Sequence, residues 1–251
     1  MDETKYECYP SPKWIRGYFN GRLIVDSRRA VLLRPGGSPP AYYFPKQDIA
    51  MDCLVPSKVS VPLEENNAVC YWDIQVGERQ AEQAAVEYLR PKAVPMLAGY
   101  LMFNWSAMDN WFEEQEEVFI HPRDPRVRID VLQSTRHIRI IIDHTTVAET
   151  HNPVLLFETG LPVRYYIPKT DVQLELLVGS DHVTYCPYKG EAHYYSIETG
   201  DNIVPNVAWY YQYPVIECAK IASHIAFYQE RVGGIEVDGQ WQAAAVQSRA
   251  R

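Results

Sequence analysis

The chain has no basic run, and that absence bears first on its partners. Its 32 acidic residues outnumber 24 Lys and Arg, a formal net charge of −8, whereas affinity for a phosphate backbone needs clustered cations. Nucleic acid is therefore not an expected partner. No stretch approaches the ~18 apolar residues of a membrane span, and Met1 to Pro12 is polar, without the apolar core of a secretion signal. A cytoplasmic protein with no membrane partner is expected. Cysteine is scarce: Cys8, Cys53, Cys70, Cys186 and Cys218 are odd in number and lack CxxC spacing. Neither a disulfide framework nor a zinc ribbon is signalled. A Gly-rich phosphate loop and a paired-Asp metal motif are also missing, and with them the usual marks of phosphoryl transfer.

Tyrosine and proline, 18 of each, are plentiful and favour strands and turns over helix bundles. The dominant feature is an internal repeat. Trp14-Ile15-Arg16 stands against His137-Ile138-Arg139, and Val31-Leu32-Leu33 against Val154-Leu155-Leu156. Tyr42-Tyr43-Phe44-Pro45-Lys46-Gln47-Asp48 stands against Tyr165-Tyr166-Ile167-Pro168-Lys169-Thr170-Asp171. The offset is always 123, and 21 of the 78 pairs from Trp14 to Pro91 are identical without a gap. The chain is a tandem duplication of a mainly-β domain.

The expected boundaries are 10–117 for the first copy, 118–240 for the second and 241–251 for a flexible tail. Each copy is expected to begin with a strand hairpin and to close with a helix. The second helix is read over Ile216 to Arg231, where Ile221, Ile225 and Tyr228 approach the helical period, and the first over about Val94 to Phe112. The acidic run Glu113 to Glu117 then reads as a solvated helix end and linker.

Polar residues present in one copy only need a local reason. Glu158 faces Pro35, Arg164 faces Ala41, Cys186 faces Leu63, Tyr188 faces Glu65, Lys189 faces Asn66, His193 faces Cys70 and Trp209 faces Val86. Copy two is thus the expected active copy and copy one a degenerate, structural one. The catalytic candidates are Glu158, Arg164, Tyr188 and Lys189; the substrate-binding candidates are Tyr166, His193, Trp209 and Tyr211. Arg164 and Tyr166 share a face by strand alternation, and a guanidinium there can hold a carboxylate or developing enolate. Lys189 in the Cys186-Pro187-Tyr188-Lys189-Gly190 turn can act as acid, base or Schiff-base amine. A structural Glu158–Arg164 ion pair, an exposed turn lysine and aromatic core packing are the plainer alternatives. His182, Cys186 and His193 lack a fourth partner at a zinc spacing, so no metal is expected. Cys186 with His193 is a weaker nucleophile–base pairing. If the polar cluster is scaffolding, the expected alternative site is the cleft between the copies, near His121, Arg123 and Asp124.

The runs HPRDPRVRIDVLQSTRHIRI from His121, FETGLPVRYYIPKTDV from Phe157, CPYKG at Cys186 and AWYYQYP at Ala208 closely resemble the domain-of-unknown-function 427 family, including its tandem members. The likeness spans about Trp14 to Gly239. It implies a compact, tent- or barrel-like β domain with a helix at one end, and little about function. Taken together, these readings suggest a cofactor-independent acid–base enzyme (isomerase, cyclase, lyase or hydrolase) acting on a small organic acid or polyketide-like metabolite. The expected partner is that small-molecule substrate, with a homodimer left open. The competing readings are a non-catalytic small-ligand or partner-binding module and a nucleotidyltransferase-like enzyme. If the duplicated fold needs neither Arg164 nor Lys189, removing either side chain should cost little stability.

Overall fold

The computed structural model describes residues 6–34, 39–58, 69–89, 94–232 and 234–243. The chain divides between Asp124 and Pro125 into two compact units, each built from one large and one small antiparallel sheet. In the first unit the seven-stranded sheet runs, edge to edge, through Glu7–Pro10, Val31–Arg34, Ala41–Pro45, Tyr100–Phe103, Arg79–Tyr88, Val69–Val76 and Leu54–Pro56. Its four-stranded sheet runs through Glu116–Glu117, Asn110–Glu113, Ile15–Phe19 and Arg22–Ser27. The second unit repeats this order with Ile129–Gln133, Val154–Glu158, Arg164–Pro168, His224–Phe227, Asn202–Tyr211, Gly190–Thr199 and Leu177–Cys186. Its small sheet holds Thr145–Thr150, Ile138–Ile142, Gly234–Val237 and Gln240–Ala243. Among the described residues, the two edge strands of neither large sheet pair with each other.

Strand alternation builds the core. Inward positions Ile15 and Phe19, and in the second unit Ile138, Ile140 and Ile142, are buried while the residues between them are less so, the pattern of a sheet with one packed face. The first unit encloses them with Phe44, Ile74 and Leu101 from its large sheet, and the second with Ile167, Ile225 and Phe227. The hairpin after the first of these strands turns through Asn20-Gly21 at φ +47° and +73°, and through Asp143-His144 at φ +49° and +64° in the second copy. Positive φ at both central residues is the signature of a two-residue type I′ hairpin turn.

The offset changes by one residue late in each copy. Val86 pairs with Met102 and Trp209 with Ala226, so positions 123 apart on one strand face positions 124 apart on the next. Asn104 N–H donating to the Ala84 carbonyl and Tyr228 N–H donating to that of Val207 repeat the same shift. Asn104, Trp105 and Ser106 therefore correspond to Tyr228, Gln229 and Glu230.

The two closing helices are not there. Ile216–Ile221 is a short 3-10 turn and His224–Phe227 is a strand inserted between Arg164–Pro168 and Asn202–Tyr211. Ser223, at φ +63°, interrupts any helix between them. Ile225 and Phe227 enter one core and Ala226 the other, so the run is a strand buried on both faces, which a helical spacing mimics. In the first unit the same stretch divides into Pro95–Leu97, Tyr100–Phe103, Trp105–Ala107 and Asn110–Glu113. The acidic run is a hairpin of the small sheet, Glu113 opposite Glu116, rather than a linker. Residues 241–243 belong to the last strand; 244–251 lie outside the described residues.

One packing exchange bears on the site below. Gly17 lies opposite Trp111, whereas Ile140 lies opposite Ile235. A Cβ on Gly17 would come within 2.7 Å of the Trp111 ring. Gly17→Ala is expected to cost about 1–3 kcal/mol through overpacking, read as a lower denaturation midpoint at unchanged m-value.

Candidate functional site

In the second unit, period 2 along Val154–Glu158 and Arg164–Pro168 sends Val154, Leu156, Glu158, Arg164 and Tyr166 to one face of the large sheet. That face carries Tyr194, Trp209, Tyr211, Cys218 and Ile221. Tyr166, Trp209 and Tyr211 are buried, and the Trp209 indole N–H donates to the Tyr166 hydroxyl at 3.3 Å. Burial pushes the Tyr166 and Tyr211 phenols well above their ordinary value, so both are neutral at physiological pH.

Arg164 is not free to hold an anion. Its guanidinium donates to both carboxylate oxygens of Glu230, at 2.9 and 2.8 Å, and to Gln229 Oε1 at 3.3 Å. It also lies 5.6 Å from the Trp209 ring centre and 5.8 Å from that of Tyr228. Burial opposes ionisation of Glu230, yet the Arg164 hydrogen bonds and charge hold its carboxyl below the usual value. The Glu158–Arg164 pair considered from sequence is replaced by two separate pairs. Glu158 takes Lys189, with Nζ 2.5 Å from Oε2 and both side chains only 13% and 10% exposed.

The turn that presents Lys189 is fixed by its backbone. Lys189 N–H donates to the Cys186 carbonyl, the Val215 N–H donates to that of Lys189, and the Cys218 thiol reaches the Tyr188 carbonyl at 3.4 Å. Gly190 sits at φ +104°, with the Tyr213 carbonyl 3.2 Å from where a Cβ would lie, so only glycine fits. Tyr188 is half-buried in this turn. Burial pushes the Cys218 thiol up to about 11, although Lys189 works in the opposite direction.

His193 does not join this group. It stands on the opposite face, stacked on Tyr210 with ring centres 5.6 Å apart and paired with Glu191 at 2.9 Å, whereas His182 packs on Tyr194 at 4.5 Å. Strand alternation therefore separates His193 from both Cys186 and His182. Among the described residues no three His, Cys, Asp or Glu side chains are grouped to hold a metal.

The first unit contains what sequence comparison did not reveal, a cavity of about 730 Å³. Its walls include Phe44, Phe103, Trp105 and Trp111, with Tyr42, Tyr71, Gln83 and Asn104 as polar groups and Ala41, Val86 and Met102 between them. Trp105 and Trp111 stack at 4.6 Å, and Trp111 stacks on Phe44 at 5.7 Å. Among the described residues, Glu82 and His121 are the acidic and imidazole side chains on the wall, and no Lys or Arg lines it. Of the alternative residues His121, Arg123 and Asp124, His121 thus lines the cavity, while Asp124 is buried and accepts the Arg34 Nε–H at 2.5 Å. The counterparts of Glu158, Tyr188 and Lys189, which are Pro35, Glu65 and Asn66, lie outside the described residues.

Each unit is one copy of a domain defined by sequence kinship rather than by known chemistry. The chain matches the domain of unknown function DUF427 over residues 7–114 and again over 130–238, and it belongs to that family as a tandem two-copy member. No curated protein matches it. Among the described residues no helix is long and apolar enough to cross a membrane.

Proposed function

We propose that this protein binds a small organic molecule in the cavity of its first unit. The observation that carries this reading is the cavity itself: about 730 Å³ walled by four large aromatic side chains with a few polar groups among them. That size and lining match small-molecule sites, which are concave, mostly apolar and largely preformed. Among the described residues the wall carries no Lys or Arg, which gives the nucleotidyltransferase-like reading no support, since a polyphosphate calls for counter-charge. A flat, uncharged or cationic ligand suits it better.

A second reading is favoured by one specific feature. The Glu158–Lys189 pair, close to Cys218 and Tyr211, offers a carboxylate and an ammonium between which a proton can move. It supports a cofactor-independent acid–base enzyme on a small metabolite, with Tyr188 beside the pair and Arg164 confined to holding Glu230.

A melting-temperature screen of the full chain against small aromatic and heteroaromatic compounds tests the first reading. A compound at 100 times its Kd should stabilise the protein by about 2.7 kcal/mol, and Val86→Trp, which refills the cavity from one wall, should remove the shift. Shifts that survive Val86→Trp, or no shift with any compound, would count against it. Turnover that depends on Lys189 and persists in Val86→Trp would support the second reading instead.

A further inference from the structure

We infer that the first unit's cavity takes a planar, delocalised cation such as a guanidinium, amidinium or protonated heteroaryl amine, because the second unit holds such a group, its own Arg164, at the corresponding place. This rests on the reading of the cavity as a ligand site and adds the class of ligand.

The correspondence is residue by residue. The Arg164 guanidinium is surrounded by Trp209, Tyr228, Gln229 and Glu230. By the strand registers, their counterparts are Val86, Asn104, Trp105 and Ser106, and the counterpart of Arg164 itself is Ala41. Ala41, Val86, Asn104 and Trp105 all line the cavity. Arg to Ala, Trp to Val and Tyr to Asn remove bulk from this place while Gln to Trp returns part of it, and a close-packed interior cannot fully collapse around the net loss. The second unit therefore carries the site already filled, with a planar cation held by two aromatic rings and a carboxylate.

The emptied version keeps the features that would receive a separate molecule of that kind. Trp105 replaces Gln229 and stacks on Trp111, supplying an aromatic face for a cation. The Glu230 carboxylate is lost at Ser106, but Glu82, an exposed residue, lies on the wall, and among the described residues no Lys or Arg lines it. The formal net charge of −8 favours the approach of a cation over that of an anion.

Calorimetric titration of the full chain with benzamidine, benzyl alcohol and benzoate, three compounds of similar shape and different charge, tests the assignment. Benzamidine should bind at least tenfold more tightly than either comparator. The Ala41→Arg/Ser106→Glu variant, which rebuilds the second unit's pair in the first, should abolish that binding, and Val86→Trp serves the same purpose if the double variant does not fold. Benzyl alcohol binding as tightly as benzamidine would overturn the cation assignment while leaving the cavity reading intact, and so would preferred binding of benzoate. Benzamidine binding that persists in the filled variants would place it elsewhere and overturn the assignment. No binding of benzamidine would also overturn it, and the cavity reading would then stand or fall on the broader melting screen.

Discussion

Arg164→Ala lowers the melting temperature of the second unit's transition by on the order of 10 °C. The pair it breaks is partly buried, with Arg164 14% and Glu230 20% exposed in their side chains. Its loss should fall between the ~0–1 kcal/mol of exposed pairs and the ~3–5 kcal/mol of buried ones, and about 2 kcal/mol corresponds to that temperature change in a unit of this size. Ala41 at the equivalent position does not make Arg164 dispensable, because the partner differs between the units as well. Ala41 is tolerated in the first unit because the counterpart of Glu230 there is Ser106. Arg164→Ala/Glu230→Ser should accordingly recover much of what Arg164→Ala loses, a coupling that a double-mutant cycle reads directly. The pair also sets a pH dependence. The folded Glu230 carboxyl titrates below its usual value near 4.5, so its contribution is present above that value and fades as pH falls through the lower, folded one. Stability of Arg164→Ala should change less across that acid window than stability of the parent protein.

Lys189→Ala has a comparable or larger effect, about 3 kcal/mol in denaturant unfolding. Removing the ammonium leaves the Glu158 carboxylate, 10% exposed, without its partner, and an unpaired buried charge is the costly half of a broken ion pair. Lys189→Met/Glu158→Gln, which removes both charges and keeps the volumes, should fold nearly as well as the parent. That variant also separates structure from chemistry: a folded protein that has lost turnover would assign the pair to catalysis, and one that keeps all its ligand binding would assign it to scaffolding.

The matching of strands between the two copies was legible in the sequence over most of their length, for a physical reason. A gap-free offset fixes strand register, and a slip of one residue would exchange the inward and outward faces of every strand. Tyr42-Tyr43 and Tyr165-Tyr166 accordingly lie on matching strands, Ala41–Pro45 and Arg164–Pro168. The last part of each copy was not legible, because Ile225, Ala226 and Phe227 are buried from both sides and carry no period-2 signal. Reading Ile216 to Arg231 as a helix hid the one-residue shift, and with it the match of Glu230 to Ser106. Arg164, Trp209 and their neighbours looked active because copy one lacks them, yet in the second unit they fill the space that Ala41 and Val86 leave open in the first. Small residues facing large ones were the available signal for the cavity of the first unit.

The side-chain N–H resonances of the tryptophans distinguish a ligand site in the first unit from one in the second. Trp105 and Trp111 line the cavity, whereas Trp209 is packed among Tyr166, Tyr228 and Arg164. Titrating a stabilising compound into ¹⁵N-labelled protein should move the Trp105 and Trp111 indole signals progressively and leave that of Trp209 in place. Movement of the Trp209 signal with Trp105 and Trp111 unchanged would contradict the account and return the site to the second unit.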